Sequence, residues 1–222
     1  MKIMLFGKSK NIINQAVLDL RRYTSDALKN VKTINASSVI MPENPSEELM
    51  NAFGNVKYKN ISNMLYLSDS KKLITFNGAT VFGYENTAPN TIHMFNGMCI
   101  VKYIESDEPI EAISNGLIVC SKNTKINFIS QNGLAVYTPF EITNVRLFGH
   151  DTKIDSQFIE SMPDSSVIAA GNNMVIYNDV TLELLKNKQI YFAAGHKIKC
   201  DYNILGYVQT IATAGNKIEV NE

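Results

Sequence analysis

From Gly78 onward, apolar runs alternate with a glycine that usually stands beside asparagine. The units are ITF-NG-ATV, HMF-NG-MCIV, AIS-NG-LIV, ISQ-NG-LAV, RLF-GH-DTKI, IAA-GN-NMVI, FAA-GH-KIKC and ATA-GN-KIEV. The glycines are Gly78, Gly97, Gly116, Gly133, Gly149, Gly171, Gly195 and Gly215, spaced 16 to 24 residues apart. The third residue after each is apolar (Val81, Ile100, Val119, Val136, Met174, Ile198, Ile218), except Thr152. Apolar residues stand one and three after the glycine in the first four units, and three and five after it in the last three. The two halves are therefore expected to differ in corner geometry.

Asparagine and glycine reach positive φ at low cost and mark sharp reversals or corners. Two architectures fit. Asn-Gly between alternating apolar runs is a hairpin signal, which gives an antiparallel sandwich or barrel. A glycine returning about every 20 residues is also the signature of a coil that stacks rung on rung, a β-solenoid. The solenoid is the leading expectation. On it, Gly171, Gly195 and Gly215 are corners with positive φ, or sites where backbone passes too close for a side chain.

Residues 1–70 read differently. Ile3, Met4, Leu5 and Phe6 predict a strand over residues 1–8. Ile13, Val17, Leu20 and Ala27 predict an amphipathic helix over 11–29, with Asp19, Arg21, Arg22 and Asp26 off its apolar stripe. Residues 38–42 (SVIMP) predict a strand. Asn44-Pro45-Ser46-Glu47 predicts a capped helix start for residues 45–53, and Met64–Leu67 a third strand. The expected plan is mainly β: a small α/β domain over 1–70, then a β-solenoid over 71–222. No amphipathic helix is expected after residue 71; VTLELL (180–185) is the best exception. Ser161–Ser165 and Leu185–Lys188 are the expected loop tips.

Charge changes the picture little. Lys plus Arg balance Asp plus Glu at 21 each, and no basic run suggests nucleic acid. Cys99, Cys120 and Cys200 lack CxxC spacing and read as core thiols of a reducing compartment. The first ten residues do not have the form of a signal segment or a membrane span. A cytoplasmic or virion location is the expectation.

Candidate chemistry is sparse, and no catalytic, cofactor-binding or metal-ligating residue is assigned. Gly7-Lys8-Ser9 lies between an expected strand and an expected helix, but Lys2 stands where a phosphate loop needs its first glycine. His150 and His196 both follow a repeat glycine, about 10 Å apart if two rungs separate them. Neither has a ligand partner nearby, and His93 completes the set. Glu105, Asp107, Glu108 and Glu111 form one acidic cluster, and Asp151 and Asp155 another; paired carboxylates serve glycoside chemistry. His150 with Asp151 is the best pair for an enzyme reading. Tyr84, Tyr103, Tyr137, Tyr177, Tyr202 and Tyr207 are candidates for a sugar- or protein-binding strip.

VIAAGNNMVIYNDV (167–180) and TIATAGNKIEV (210–220) resemble rungs of small bacterial β-helix assembly proteins, namely the C-terminal domain of the division inhibitor MinC, bactofilins and the flagellar assembly A proteins. The resemblance covers about a third of the chain and does not extend to the N-terminal unit. It implies a non-enzymatic protein that self-associates or recruits partners. The functional expectation is accordingly a structural or assembly protein, forming a homo-oligomer or part of a larger assembly. The alternatives are a phage virion component (baseplate, fibre or head-associated) and a carbohydrate-active or acyl-transfer β-helix enzyme. Carbohydrate is the one small-molecule partner considered.

Overall fold

The computed structural model describes residues 12–221. The strand expected over 1–8 and Gly7-Lys8-Ser9 lie outside them. The chain divides into two compact units, at Lys72/Leu73. It is mainly β, and the strand registers that follow are all parallel.

In the first unit, β1 (Ile12–Asn14) turns a corner into β2 (Val17–Asp19). A 3-10 turn (Leu20–Arg22) and α1 (Ser25–Leu28) follow. β3 (Thr33–Asn35) and β4 (Ser38–Pro42) repeat the strand–corner–strand path, then comes α2 (Glu47–Gly54), then β5 (Lys57–Lys59) and β6 (Asn63–Leu67). The result is two three-stranded parallel sheets, β1-β3-β5 and β2-β4-β6. Parallel neighbours need a long crossover, and the helices supply it. Ser46 caps α2 by accepting from the Leu49 amide, and Leu49 and Phe53, one turn apart, are buried.

The helix expected over 11–29 is therefore not formed. Ile13, Leu18 and Leu20 face one core with Ile34, Val39 and Met41. Arg21, expected off the apolar stripe, is only 8% exposed. It forks onto Asp19 at 2.9 and 2.7 Å, and its other arm donates to the Ser68 and Lys71 carbonyls at 2.7 and 2.8 Å. The strands and helix expected near residues 38–42, 45–53 and 64–67 are present as β4, α2 and β6.

The second unit opens with three 11-residue strands: β7 (Lys72–Phe82), β8 (Thr91–Val101) and β9 (Ile110–Cys120). β10 (Ile126–Gln131) and β11 (Leu134–Tyr137) both pair with β9. The sheet order is β10-β9-β8-β7, with β11 alongside. β8 pairs in parallel with β9, with Asn96 beside Asn115 and Gly97 beside Gly116. The Asn-Gly pairs of β7, β8 and β9 therefore lie inside strands, not in hairpin turns.

Then come β12 (Asn144–Phe148), β13 (Thr152–Ile154), α3 (Ser156–Ser161), β14 (Ser166–Ala170), β15 (Asn173–Ile176) and α4 (Leu182–Asn187). The chain continues through β16 (Ile190–Ala194), β17 (Lys197–Cys200), α5 (Tyr202–Val208), β18 (Ala212–Ala214) and β19 (Lys217–Val220). Two four-stranded parallel sheets result, β12-β14-β16-β18 and β13-β15-β17-β19. Helices α3 and α5 correct the expectation that none follows residue 71, while α4 falls on its stated exception, VTLELL. Asp155, Thr181 and Asp201 cap them, accepting from the amides of Phe158, Leu184 and Asn203. The loop tip expected at Leu185–Lys188 falls mostly within α4.

Strands β8, β9, β14 and β16 are buried on both faces, which is why they read as nearly continuous apolar runs. Met98, Ile100, Leu117 and Val119 pack against Val167, Ala169, Tyr191 and Ala193. The opposite faces fill separate cores: Phe82, Phe95, Cys99 and Ile118 in one, Ile168, Phe192, Ile198 and Ile204 in the other. Burial pushes all three thiols up, Cys120 to about 12, Cys200 to about 11 and Cys99 well above the usual range.

Candidate functional site

The repeated corner is the most regular polar feature of the described chain. In the first unit Asn35 donates to Asn14 (2.9 Å), and Asn60 to Asn35 (2.8 Å). In β7–β9, Asn96 donates to Asn77 (3.0 Å), and Asn115 to Asn96 (2.8 Å). In β12–β19 the ladder is mixed. Asp151 Oδ1 accepts from Asn172 Nδ2 (2.7 Å), the Asn173 amide (3.0 Å) and Asn173 Nδ2 (3.1 Å). Asn173 Oδ1 meets His196 Nδ1 at 3.0 Å, and His196 Nε2 meets Asn216 Nδ2 at 3.1 Å. Asn216 Nδ2 is a donor, so Nε2 accepts and the proton sits on Nδ1. These bonds, the Asn173 backbone amide first, hold the Asp151 carboxyl below the usual range.

This arrangement bears on the pairs singled out from sequence. Asp151 is committed to the corner, and His196, not His150, shares its ladder. His150 is exposed beside it. His93 is buried, its ring 6.3 Å from that of Phe76 and 5.0 Å from that of Phe82. Its Nδ1 lies 3.4 Å from the Glu111 carbonyl, and its Nε2 has no hydrogen-bond partner among the described residues. Among the described residues no three His, Cys, Asp or Glu side chains converge as a metal site. Asp155 caps α3.

The acidic cluster and the tyrosines meet in one place. Tyr84, Tyr103, Ile104, Glu105, Ser106 and Asp107 line an open cleft of about 620 Å3. Tyr84 is 73% and Tyr103 38% exposed. The strands set this up: Tyr84 starts the 3-10 turn after β7, and Tyr103 follows β8, its neighbour in the sheet. Tyrosine faces beside carboxylates suit a polyol or a cation. The other candidate tyrosines are not part of it: Lys153 stacks on Tyr177 at 5.8 Å, and Tyr207 packs against the core beneath α5. No single-residue signal joins Tyr84 to Glu105; only strand pairing does.

β18 and β19 each have a single partner strand among the described residues, β16 and β17 respectively. The outer face of β17 and β19 carries Lys197, Lys199, Lys217 and Glu219. Glu219 bridges to Lys197 at 3.7 Å, to Lys199 at 3.9 Å, and to Lys217. No described helix is long and apolar enough to cross a membrane. No family model, curated protein or solved structure matches this chain.

Proposed function

We propose that this chain is a non-enzymatic structural or assembly protein, with a β-solenoid body that self-associates or docks partners through its end strands. The observation that carries the reading is the pair of edge strands β18 and β19. Among the described residues each has one partner strand, so its other edge carries backbone groups that no described strand pairs. The corner ladders support it: they commit Asp151 and His196 to holding repeats together. The rung-like strings at 167–180 and 210–220 point the same way. Light scattering on a size-exclusion eluate, across a wide range of loading concentration, tests the proposal. Oligomers that grow with concentration are expected; a strict monomer throughout removes it.

The cleft favours a second reading, carbohydrate binding. Tyr84 and Tyr103 would stack on a sugar face while Glu105 and Asp107 accept from its hydroxyls. Glycan-array binding lost in Tyr84→Ala supports it, and an array with no bound glycan removes it.

A further inference from the structure

We infer that β19 is the seam of a two-fold homodimer, pairing antiparallel with β19 of a second copy and centred on Ile218. The inference rests on the self-association reading above and specifies its surface.

Backbone alternation selects which groups are free. In a parallel ladder, alternate residues turn both amide and carbonyl towards the same neighbour. Asn221 N–H donates to the Cys200 carbonyl at 2.8 Å, and the register sets Lys217, Ile218 and Glu219 beside Lys197, Ile198 and Lys199. Asn221 is in phase with Lys217 and Glu219, so those residues turn their backbone groups to β17. Ile218 and Val220 turn theirs to the side of β19 on which no described strand lies.

A two-fold axis through a single edge strand requires antiparallel pairing, with one residue opposite its own copy. Three registers use the middle of β19. Centred on Lys217, lysine faces lysine; centred on Glu219, carboxylate faces carboxylate. Like charges directly opposite are destabilising. Centred on Ile218, Lys217 faces the second copy's Glu219, and Glu219 faces the second copy's Lys217. That register also exchanges two backbone hydrogen bonds at Ile218, whose groups no described strand pairs. On the inner face it adds the second copy's Ile218 to the row Met174, Ile198, Ile218. Charge and backbone phase thus select the same centre.

The test uses the full chain with Lys217→Glu and Glu219→Lys, each checked for fold by circular dichroism. Sedimentation velocity at low salt should find the parent chain dimeric and each variant monomeric, since every cross-seam pair becomes like-charged. Mixing the two variants restores both attractive pairs. With one variant isotope-labelled, native mass spectrometry should then find a one-to-one heterodimer. Variants that remain dimeric alone, or a mixture that stays monomeric, overturn the seam and leave the broader assembly reading standing. A parent chain that is monomeric at every concentration overturns both. Should a charge reversal fail to fold, Lys217→Gln and Glu219→Gln remove attraction without adding repulsion. Each should weaken the dimer several-fold, and an unchanged dissociation constant overturns the seam.

Discussion

At the corners of the first unit the residue after the ladder asparagine is Gln15, Ala36 or Ile61. At the corresponding corners of β7–β9 it is Gly78, Gly97 or Gly116. Both regions hold successive repeats together with an asparagine ladder. Only the second brings backbone onto backbone. A Cβ on Gly97 would lie 2.5 Å from the Gly78 carbonyl oxygen, and one on Gly116 2.0 Å from that of Gly97. The same stack recurs at Gly171, Gly195 and Gly215, where an added Cβ would lie 2.2 Å from the carbonyl oxygen of the preceding glycine in the row. Asparagine is thus the shared device of the two units, and glycine is needed only where the corner is tight.

The largest expected effect separates the two corners directly. Gly195→Ala would place its Cβ 2.2 Å from the Gly171 oxygen, a backbone atom that cannot swing aside. Overpacking of this kind costs about 2–4 kcal/mol. Gly149, at the start of the same row, has nothing within 4 Å of its Cβ position. Gly149→Ala is expected to change stability by less than about 1 kcal/mol. Urea unfolding followed by peptide-resolved hydrogen exchange reads both, with loss of protection for Gly195→Ala confined to residues 73–221. Equal costs for the two alanines would mean that the stack is not what demands glycine.

The first unit depends instead on a buried cation. Arg21→Met removes the guanidinium donors from the Ser68 and Lys71 carbonyls and from Asp19, while the Lys71 amide still donates to Ser68 and the residue-21 amide to Asp19. Asp19 keeps some solvent contact, which limits the cost to about 2–3 kcal/mol. Faster exchange across residues 12–72, with residues 73–221 unchanged, is the expected outcome. Arg21→Lys should rescue little, because one ammonium cannot reproduce the fork and reach both carbonyls. A full rescue by lysine would reduce the role of Arg21 to its charge.

These contrasts explain what was legible in the sequence. The glycine row was visible because a Cβ is forbidden at each stacked position. Of the two alternatives expected at Gly171, Gly195 and Gly215, positive φ or a backbone approach too close for a side chain, the second is found; positive φ occurs at Gly78, Gly97 and Gly133. The halves of the second unit do differ at their corners, as their apolar spacing suggested. The repeats of the first unit were hidden because β1 and β2 are three residues each. Ile13, Val17 and Leu20 then satisfy helical spacing as well as two strands and a turn. Asn14, Asn35 and Asn60, at intervals like those of the glycines, were the signal available. Helices α3, α4 and α5 are six or seven residues long, too short for a 3.6-residue period to emerge. Their capping residues Asp155, Thr181 and Asp201 were the readable mark. The cleft depends on which strands are neighbours, which one sequence does not state.

A smaller effect tests whether the ladders are equivalent. Asn35 and Asn96 each sit in the middle of three, donating one amide bond and accepting another. Alanine at either should cost about 1 kcal/mol, the low end for two partly solvated hydrogen bonds. Denaturant midpoints of the two variants measure it, each read in its own unit by hydrogen exchange. A much larger loss for Asn96→Ala would mean that asparagine and stacked glycine act together in the second unit.

The smallest effect uses pH to distinguish the units. Burial among aromatic rings pulls His93 below its ordinary value of 6.5, partly opposed by the nearby backbone of Glu111 and Asn86. The folded protein therefore binds a proton at His93 less readily than the unfolded chain. Its contribution to stability is fully present above pH 6.5 and is lost as pH falls through the lower folded value. One proton limits the slope to about 1.4 kcal/mol per pH unit. The three histidines all lie in the second unit. In the first, Glu48 at the start of α2 is held below its ordinary value of 4.5 by its own backbone amide and by Ser46. Its contribution is retained until pH falls below 4.5. Denaturation between pH 7.5 and 5 should therefore weaken residues 73–221 and spare residues 12–72. His93→Phe keeps a ring against Phe82 and removes the proton site, so the variant should lose much of that slope. A variant whose stability falls with pH as steeply as the parent's would move the acid sensitivity to another group and leave the two units indistinguishable by this route.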